Sequence, residues 1–315
     1  MIESFKSLLD KYDKVTIVTH RMPDADTLGT ALGIYEILKN VGKNVEVCNA
    51  SGILPNCLDF LPHFAKIKNR IDFDNSLIIS CDSGSIDLLE FDLSLNEIVN
   101  IDHHKSNTNY GTLNVVDIHC VSASQVAYEF LKDDFIINKN SATCFYVALV
   151  TDTQNFTTLN VTREVFDFAS VLLSKDIDIA EVNRNLTQRK SLSSLRVLSA
   201  TLDTLELYEE AQISSMVTSQ EILNKMGIKS TDVIGLVDYG IALVTVKIAI
   251  FILECKSKLK VSLRSNQSDV LSLAVHFGGG GHKLAAGFTV EKMEVKLLID
   301  DIKKEIKKRG LLNGL

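Results

Sequence analysis

The chain has 315 residues, which is more than one ordinary hydrophobic core needs and suits two domains. Apolar residues make up 46% and charged residues 23%, an ordinary globular composition that excludes the disordered and low-complexity classes. The formal net charge of −7 argues against a protein that coats duplex DNA with a cationic face. Small anionic substrates stay compatible with this charge, because a metal ion reverses the sign of a site locally.

Hydropathy and cysteine usage indicate a cytoplasmic protein without a membrane span. No apolar run approaches the ~20 residues that cross a bilayer. The longest candidate, Ile241 to Cys255, is interrupted by polar residues and its β-branched content predicts a buried strand. The amino terminus lacks the basic start and apolar stretch of a secretion signal. Six scattered cysteines without a CxxC pair indicate reduced thiols.

The first half of the chain alternates strand-like and helix-like segments. The predicted strands are Val15–Thr19, Asn44–Cys48, Leu77–Cys81 and Ile98–Ile101. A helical pattern follows the first strand, and others lie at Ser124–Leu131, Ser141–Val150 and Glu164–Leu173. This alternation predicts an α/β fold with a mainly parallel sheet covered by helices on both faces. Ligands of such sheets collect at the carboxyl ends of the strands.

The second half has a different pattern. A polar helical stretch, Glu181 to Ala200, has the character of a connector. Strand-like segments follow within Thr204–Thr218 and Ile241–Arg264, and Val295–Arg309 forms a final amphipathic helix. We therefore expect a first domain at 1–187, a helical linker at 188–203 and a smaller α/β domain at 204–315.

The first polar motif follows the first predicted strand and contains His20, Asp24 and Asp26. Pro23 fixes one backbone torsion, and the alternating aspartates are spaced to aim carboxylates at two neighbouring points. Hard oxygen ligands with one imidazole suit Mn²⁺ or Mg²⁺ better than a thiolate-preferring ion. Taken alone, the motif has an equally good alternative, an Asp cluster that caps the following helix.

Three further acidic motifs lie at ends of predicted elements. Asp82 ends the strand Leu77–Cys81, where a lone acid is usually a turn or cap residue. Two adjacent histidines, His103 and His104, follow Asp102. Together the three residues can provide a metal ligand, an outer-shell residue that orients it and a contact with a phosphate. An exposed loop pair is the alternative for these histidines. Asp152 follows the helix Ser141–Val150.

A glycine run, Gly278–Gly281, precedes His282 and Lys283. Four glycines expose backbone N–H groups to close approach by an anion, although glycine runs also form simple turns. His282 and Lys283 would add donors, and we expect a helix to begin there. Upstream, Arg264 ends a predicted strand, where it suits a bidentate phosphate contact; a surface salt bridge is the alternative.

Taken in order, these motifs resemble the DHH phosphoesterase superfamily, which is named for the sequence found here at Asp102-His103-His104. The closing segment is similar to its accessory DHHA1 substrate-binding domain, and the match spans Val15 to Val290. In size the chain resembles the bacterial nanoRNA phosphoesterases that also remove the 3′-phosphate of pAp. The resemblance implies an active site in the cleft between the two domains.

The resemblance also implies a site for two Mn²⁺ ions per chain, with Mg²⁺ or Co²⁺ as substitutes. His20 and Asp24 would hold one ion, Asp26 and His103 the other, Asp82 would bridge them, and Asp152 would complete the Asp26 side. Asp102, His104 and Asp82 would be the catalytic residues, with Asp102 orienting its neighbours and His104 beside the substrate phosphate. Substrate binding would involve His104 with Arg264, Ser265, Gly279, Gly280, Gly281 and His282. Ala25 lies where relatives more often have glycine between the two aspartates, and we expect the geometry to survive the added methyl group.

The activity implied by the resemblance is hydrolysis of short oligoribonucleotides, of pAp, or of both. Two cations ~3.5–4 Å apart would bridge a hydroxide that attacks phosphorus in line. The same residues fit a cyclic di-AMP or pApA phosphodiesterase, and a catalytically silent nucleotide-binding regulator is the alternative from another class. An inorganic pyrophosphatase is disfavoured, because its second domain lacks the GGGGH signature. The expected partners are short RNA or nucleotide substrates and, as in relatives, a second copy of the chain.

Overall fold

A computed structural model describes residues 1–228, 233 and 235–312. The chain divides into two compact units, Met1–Arg189 and Lys190–Leu315. Within the described part of the chain, no helix is both long and apolar enough to span a membrane.

The first unit is built on a six-stranded sheet in which every neighbouring pair of strands is parallel. Its strands are β1 (Lys14–Thr19), β2 (Asn44–Cys48), β3 (Ile67–Lys68), β4 (Leu77–Cys81), β5 (Ile98–Asp102) and β6 (Leu113–Val116). Four of them confirm the predicted strands. The two edge strands, β3 and β6, are only two and four residues long, so the sequence pattern did not reveal them.

The strand order β3-β2-β1-β4-β5-β6 places β1 beside β4 in the middle of the sheet. The chain winds outward in one direction from β1 and in the other from β4, so a crevice opens between their carboxyl ends. His20 directly follows β1 and Asp82 directly follows β4. The topology therefore brings residues 62 positions apart to the same point of the sheet edge.

Helices pack against this sheet through a continuous apolar core. They are α1 (Ile2–Lys11), α2 (Ala25–Asn40), α3 (Ala123–Leu131), α4 (Lys139–Asp152), α5 (Arg163–Leu173) and α6 (Ile179–Asn183). Two glycines of α2 let α4 approach closely: a Cβ at Gly29 would lie 2.5 Å from the carbonyl oxygen of Cys144, and one at Gly33 2.3 Å from the Phe145 ring. Gly29 also lies against Ala148 near the end of α4, whereas Glu36, later in α2, accepts from Asn138 just before α4 begins, so the two helices are antiparallel. The start of α2 therefore lies beside the end of α4.

The second unit contains a six-stranded mixed sheet in the order β11-β12-β10-β9-β8-β7. Its strands are β7 (Glu206–Tyr208), β8 (Ile213–Thr218), β9 (Ile248–Glu254), β10 (Lys258–Ser265), β11 (Gly280–His282) and β12 (Ala285–Glu291). Its helices are α7 (Leu192–Leu202), α8 (Gln220–Met226), α9 (Val237–Ile241), α10 (Val270–His276) and α11 (Val295–Lys308). Only β8 and β9 are parallel neighbours. Helix α11 confirms the predicted amphipathic helix to within one residue.

The helix expected to begin at His282 is wrong, because the glycine run forms the first strand of a β-hairpin with β12. Backbone packing explains the glycines better than helix initiation does. A Cβ at Gly279 would lie 2.2 Å from the carbonyl oxygen of Gly287, and one at Gly281 2.6 Å from that of Ala285. Gly281 also has φ +137°, a backbone conformation that other residues rarely adopt.

Candidate active site

The predicted polar residues of the first unit converge at the carboxyl edge of the parallel sheet. Three groups of side chains each present ligand atoms within 4.8 Å of one another. The groups are His20–Asp24–Asp82, Asp26–His103–Asp152 and Asp82–His103–His104. Motifs separated by more than 100 residues in the sequence therefore form one continuous cluster.

Asp82 lies at the centre of this cluster and belongs to two of the three groups. Its Oδ2 is 3.6 Å from Nε2 of His20, and its Oδ1 is 3.5 Å from Nε2 of His103. The side chain is buried, yet Oδ1 accepts no hydrogen bond from any residue that the structure describes. Asp82 also has φ +55°, and strain of this kind at a non-glycine residue is concentrated at functional sites.

The first group combines a helix cap with a possible ligand. Oδ1 of Asp24 accepts a hydrogen bond from the backbone N–H of Thr27 at 3.0 Å, which makes Asp24 the N-cap of α2. The same oxygen is 3.8 Å from Nε2 of His20. The cap interpretation of this motif is therefore correct, and it does not compete with a ligand role. Asn49 steadies the turn by donating its amide to the carbonyl oxygen of His20 at 2.8 Å.

The second group surrounds His103, whose Nε2 lies 3.6 Å from Oδ2 of Asp26 and 3.7 Å from Oδ2 of Asp152. Its Nδ1 donates to the carbonyl oxygen of Cys120 at 3.3 Å, so Nε2 is the nitrogen left for a ligand. The antiparallel packing of α2 and α4 explains why Asp26 and Asp152 meet, since each lies at the end of its helix that faces the sheet edge.

Asp26 is held in place by the first turn of α3. Its carboxylate accepts backbone N–H groups from Ala123 at 2.7 Å and Ser124 at 3.2 Å. Ser122 caps this helix by accepting the N–H of Gln125 at 3.2 Å. The first turn of α3 thus supplies donors to a carboxylate of the cluster.

Proton affinities in the cluster reflect crowded negative charge. Burial lowers the pKa of His20, but its contacts with Asp24 and Asp82 outweigh this and raise it to about 9. Burial likewise lowers the pKa of His103, while the contact with Asp82 and the charges of Asp26 and Asp152 raise it to about 10. Burial, together with the charges of other carboxylates, raises the pKa of Asp152 to about 6. A positive charge placed here would relieve the repulsion.

Asp102 forms a hydrogen-bonded pair with His104, which belongs to the third group of the cluster. Oδ1 of Asp102 accepts both Nδ1 of His104 at 2.7 Å and the backbone N–H of His103 at 2.8 Å. Asp102 is fully buried, whereas the His104 ring is about a third exposed (35%). The exposed ring makes His104, and not Asp102, the member of the pair that a substrate can reach.

The donor set fits one or two hard divalent cations. Four aspartates and three histidines converge, and carboxylate and imidazole donors suit Mn²⁺ or Mg²⁺. The orphaned Oδ1 of Asp82 is the sharpest indication, because a buried carboxylate oxygen without a donor is costly unless a cation compensates it. His104 uses Nδ1 for Asp102, which leaves it less suited to a ligand role than His103.

In the second unit, the strand register sets Arg264 and His282 on one face of the sheet. Both are paired with Ala285 of β12, one from each side, and directly paired residues project to the same face. Their backbones are two strand spacings apart, about 10 Å. In the next row on that face, Gly287 is paired with Ser262 on one side and Gly280 on the other. The guanidinium of Arg264 and the imidazole of His282 therefore flank a stretch of the sheet surface, the open floor, that has almost no side chains.

The other predicted substrate residues serve the fold in this structure. Ser265 is buried, donates to the carbonyl oxygen of Lys247 at 2.7 Å and accepts the N–H of Ser268 at 2.8 Å. Gly279 and Gly281 are fixed by close backbone contacts, whereas a Cβ at Gly280 would meet no atom within 4 Å. Nε of Arg264 donates to Oδ1 of Asp238 at 3.2 Å, so the salt bridge considered for Arg264 exists.

Several supporting groups were missed by sequence reasoning. Cys120 and Ala123 act through their backbone atoms, which no residue type announces. Asn49 and Asn107 act through side-chain amides in loops, where asparagine is common for many reasons.

The fold and the site are those of a phosphoesterase, a hydrolase that acts on phosphoester bonds. The sequence model of the DHH family, N-terminal domain, matches residues 14–149, and that of the DHHA1 domain matches residues 215–308. The chain belongs to the DHH/DHHA1 phosphoesterase superfamily, which confirms the resemblance drawn from its motifs.

Named relatives extend over nearly the whole chain. The probable bifunctional oligoribonuclease and PAP phosphatase NrnA of Streptococcus mutans is 28% identical over 293 residues, covering 90% of this chain and 93% of the relative. The cyclic-di-AMP phosphodiesterase PdeA of Listeria monocytogenes is 24% identical and covers 89% of this chain but 45% of the relative. A crystal structure of an exopolyphosphatase-related protein from Bacteroides fragilis has 26% identity and a TM-score of 0.86, covering 96% of this chain and 95% of the other.

Proposed function

We propose that the chain is a phosphoesterase that hydrolyses short oligoribonucleotides and pAp with the help of two divalent cations, Mn²⁺ in the first instance. The observation that carries this proposal is Asp82, whose two oxygens face two different histidine-containing groups while one oxygen lacks a donor. The full-length similarity to the Streptococcus mutans oligoribonuclease and PAP phosphatase supports the substrate class.

The residues that would hold the cations follow from the groups described above. His20 and Asp24 would bind one ion, Asp26, His103 and Asp152 the other, and Asp82 would serve both. Cations bound in this way activate a water molecule and stabilise the charge that grows on the phosphoryl group. The first turn of α3 keeps the Asp26 carboxylate oriented, and the carbonyl oxygen of Cys120 fixes the His103 ring with Nε2 toward the cluster.

His104 would contact the phosphoryl oxygens of the substrate. Asp102 accepts a hydrogen bond from Nδ1 of His104, so the exposed edge of the ring carries Nε2. The charge of this carboxylate favours a protonated imidazole, and the hydrogen bond to Asp102 raises the pKa of His104. A protonated ring donates an N–H hydrogen bond to an anionic phosphoryl group. This hydrogen bond strengthens as negative charge grows on the phosphoryl oxygens in the transition state.

The second unit would supply a grip for the nucleotide beyond its scissile phosphate. Arg264 and His282 share one face of the sheet, above the open floor at Gly280. Guanidinium groups bind phosphate in a bidentate manner, and Arg264 has nitrogen atoms beyond the Nε that Asp238 engages. The bare backbone at Gly280 leaves room for a ribose or base to approach.

A substrate panel tests the proposed activity. Phosphate or nucleotide release from pAp, short RNA, short DNA, pApA, pGpG and cyclic di-AMP is measured with Mn²⁺, and kcat/KM values are compared. We expect pAp and di- to pentaribonucleotides to give the highest values, with no turnover after chelation. The similarity to the Listeria monocytogenes enzyme makes cyclic di-AMP the second candidate. A preference for cyclic di-AMP would overturn the substrate assignment, and turnover that survives chelation would overturn the role of the cations.

The nucleotide grip has its own test in Gly280→Ala and Arg264→Ala. The methyl group added by Gly280→Ala meets no protein atom within 4 Å, so the melting temperature of this variant should not change. Its KM for pAp and dinucleotides should rise about 10-fold. Arg264→Ala should raise KM similarly, and Lys260→Ala on the same strand should not. Hydrolysis of bis-p-nitrophenyl phosphate should stay near the wild-type rate. If Arg264→Ala lowered stability and slowed all substrates alike, the grip would be wrong.

A further inference from the structure

We propose that Asn107 is a positioning residue that locks Asp102, and through it the ring of His104, in the orientation needed for phosphoryl transfer. This inference deepens the proposed function and rests on it for the role of His104. The side-chain amide of Asn107 donates through Nδ2 to Oδ2 of Asp102 at 2.5 Å. Asp102 thereby has donors on both of its oxygens, since Oδ1 already serves His103 and His104.

The orientation of the Asn107 amide is unambiguous, because every polar atom of the group has a partner of the right kind. Nδ2 also donates to Oδ1 of Asn100 at 2.7 Å, which uses its second hydrogen. Oδ1 accepts the backbone N–H of Asn109 at 2.7 Å. A flipped amide would set its oxygen against two acceptor oxygens and its NH₂ against an N–H donor.

Asn100 continues this network into the interior of the unit. It is fully buried on β5, and its Nδ2 lies 3.0 Å from the hydroxyl of Tyr110 and 3.2 Å from the carbonyl oxygen of Ser83. The Tyr110 hydroxyl donates to Oγ of Ser80 at 2.8 Å. The network thus ties the loop that carries Asn107 to the carboxyl ends of β4 and β5, where the cluster lies.

The physical need for Asn107 follows from the burial of Asp102. A buried carboxylate oxygen without a donor costs free energy, and the group would rotate to seek another partner. Rotation would move Oδ1 away from Nδ1 of His104 and free the imidazole to change tautomer or swing outward. Partners of this outer-shell kind typically change activity by about 10- to 100-fold when removed.

Asn107→Leu tests the inference, because leucine keeps the branching of asparagine at Cγ and removes both N–H donors. The first readout is the exchange of the His104 ring Nδ1 proton with water, followed by NMR on the full chain with labelled histidine in the presence of Mg²⁺. The His104→Gln variant assigns the signal by its loss. We expect slow exchange in the wild type and at least 10-fold faster exchange in Asn107→Leu.

The second readout is steady-state kinetics with Mn²⁺ on pAp and a dinucleotide. We expect kcat to fall about 10- to 100-fold while the Mn²⁺ stoichiometry stays at the wild-type value. Unchanged kcat would overturn the inference, as would a loss of kcat with an unchanged Nδ1 proton. If the wild type itself hydrolysed neither substrate, the proposed function would fail, and the exchange measurement would still decide whether Asn107 positions His104.

Two further variants protect the test against a simple loss of folding. Asn96→Leu removes an amide that donates to the carbonyl oxygen of Ser76 at 3.0 Å, before β4 and β5 begin, and should leave both readouts unchanged. Tyr110→Phe removes only the distal hydroxyl of the network and keeps the ring in place. If Asn107→Leu does not fold, Tyr110→Phe should still speed the exchange of the His104 proton by a few fold. An unchanged rate in Tyr110→Phe would then contradict the proposal.

Discussion

Glu46 and Asp82 are two carboxylates of the same parallel sheet, and they are equally buried, with 3% and 4% of their surface exposed. Glu46 on β2 accepts hydrogen bonds from the hydroxyl of Thr16 at 3.0 Å and the backbone N–H of Phe73 at 3.0 Å. It also forms an ion pair with Lys68 at 2.9 Å. Asp82 has an oxygen that accepts no hydrogen bond within the described part of the chain.

The difference in hydrogen-bond donors distinguishes a carboxylate that supports the fold from one that has an oxygen free to bind a ligand. Burial of a charge is tolerated when protein donors surround it, and this condition is met at Glu46. At Asp82 the nearest groups are histidines and other carboxylates, and the backbone adopts a left-handed conformation. We infer that the fold bears this cost because the site needs two free oxygens at one point.

Asp82→Asn should produce the largest effect on function of any change discussed here. Asparagine keeps the shape and tolerates the positive φ, but it cannot present two anionic oxygens. We expect kcat/KM to fall on the order of 10³-fold and Mn²⁺ binding to weaken at both groups. Elemental analysis and steady-state kinetics measure these losses.

Stability of the same variant sharpens the comparison. Because Oδ1 of Asp82 has no donor to lose, the melting temperature of the chelated protein should change little. Asp87→Asn, at an exposed position five residues later, serves as the matched control and should keep full activity. Two bound metals and near-normal turnover in Asp82→Asn would break the account.

His103 and His104 should separate metal binding from rate. His103→Gln removes a group that lies between three carboxylates, so the variant should lose metal and activity together. His104→Gln should keep metal but lose about 10²-fold in kcat, because in the proposed arrangement its ring would contact the substrate and not the cations. Metal content of the two purified variants checks this directly. Equal loss of metal from both would contradict the assignment.

Glu46→Gln should reverse the pattern seen at Asp82. The amide cannot accept all of the donors that face Glu46, and the ion pair with Lys68 is lost. A cost of about 3 kcal/mol is typical for breaking such a buried pair, which corresponds to a melting temperature lower by roughly 6–12 °C. Mn²⁺ stoichiometry and kcat should match the wild type at 20 °C below the transition, and a specific loss of metal would count against the comparison.

A smaller effect is expected at Glu36, a third buried carboxylate, which accepts from Asn138 at 2.6 Å and from His63. Burial raises its pKa, but these bonds outweigh burial and hold the pKa below its ordinary value. A carboxyl group whose pKa is lower in the folded than in the unfolded chain stabilises the fold at pH values above its unfolded-state pKa. This contribution is lost as the pH falls through the folded-state pKa. As pH falls from the pKa of the unfolded chain through the lower pKa of the folded one, the wild type should therefore lose more unfolding free energy than Glu36→Gln. Parallel curves from denaturant titrations would contradict this.

The sequence predicted the parallel sheet and the residues of the candidate site because both leave local patterns. Apolar runs such as Leu77–Cys81 end at polar residues, and the α/β alternation places those ends on one edge of a sheet. The resemblance then connected His20, Asp82 and His103 before any distance was known. The structure brings these three together, at 3.5–3.6 Å between ligand atoms.

Features that depend on long-range packing were not predictable in this way. The expected helix at His282 is a hairpin strand, because pairing with Ala285 outweighs any local preference of the glycine run. Two donors to Asp26 are backbone groups of α3, almost 100 residues away, and carry no residue signature. The amide of Asn107 is one of many loop asparagines until its contact with Asp102 is seen.

The central claim is that Asp82 is shared by two cations. A crystal grown with Mn²⁺ and measured at the manganese absorption edge tests it most directly. The account predicts two anomalous peaks, one beside His20 and Asp24 and one beside Asp26, His103 and Asp152, with an oxygen of Asp82 in contact with each. A single peak, or two peaks of which one does not touch Asp82, would contradict it.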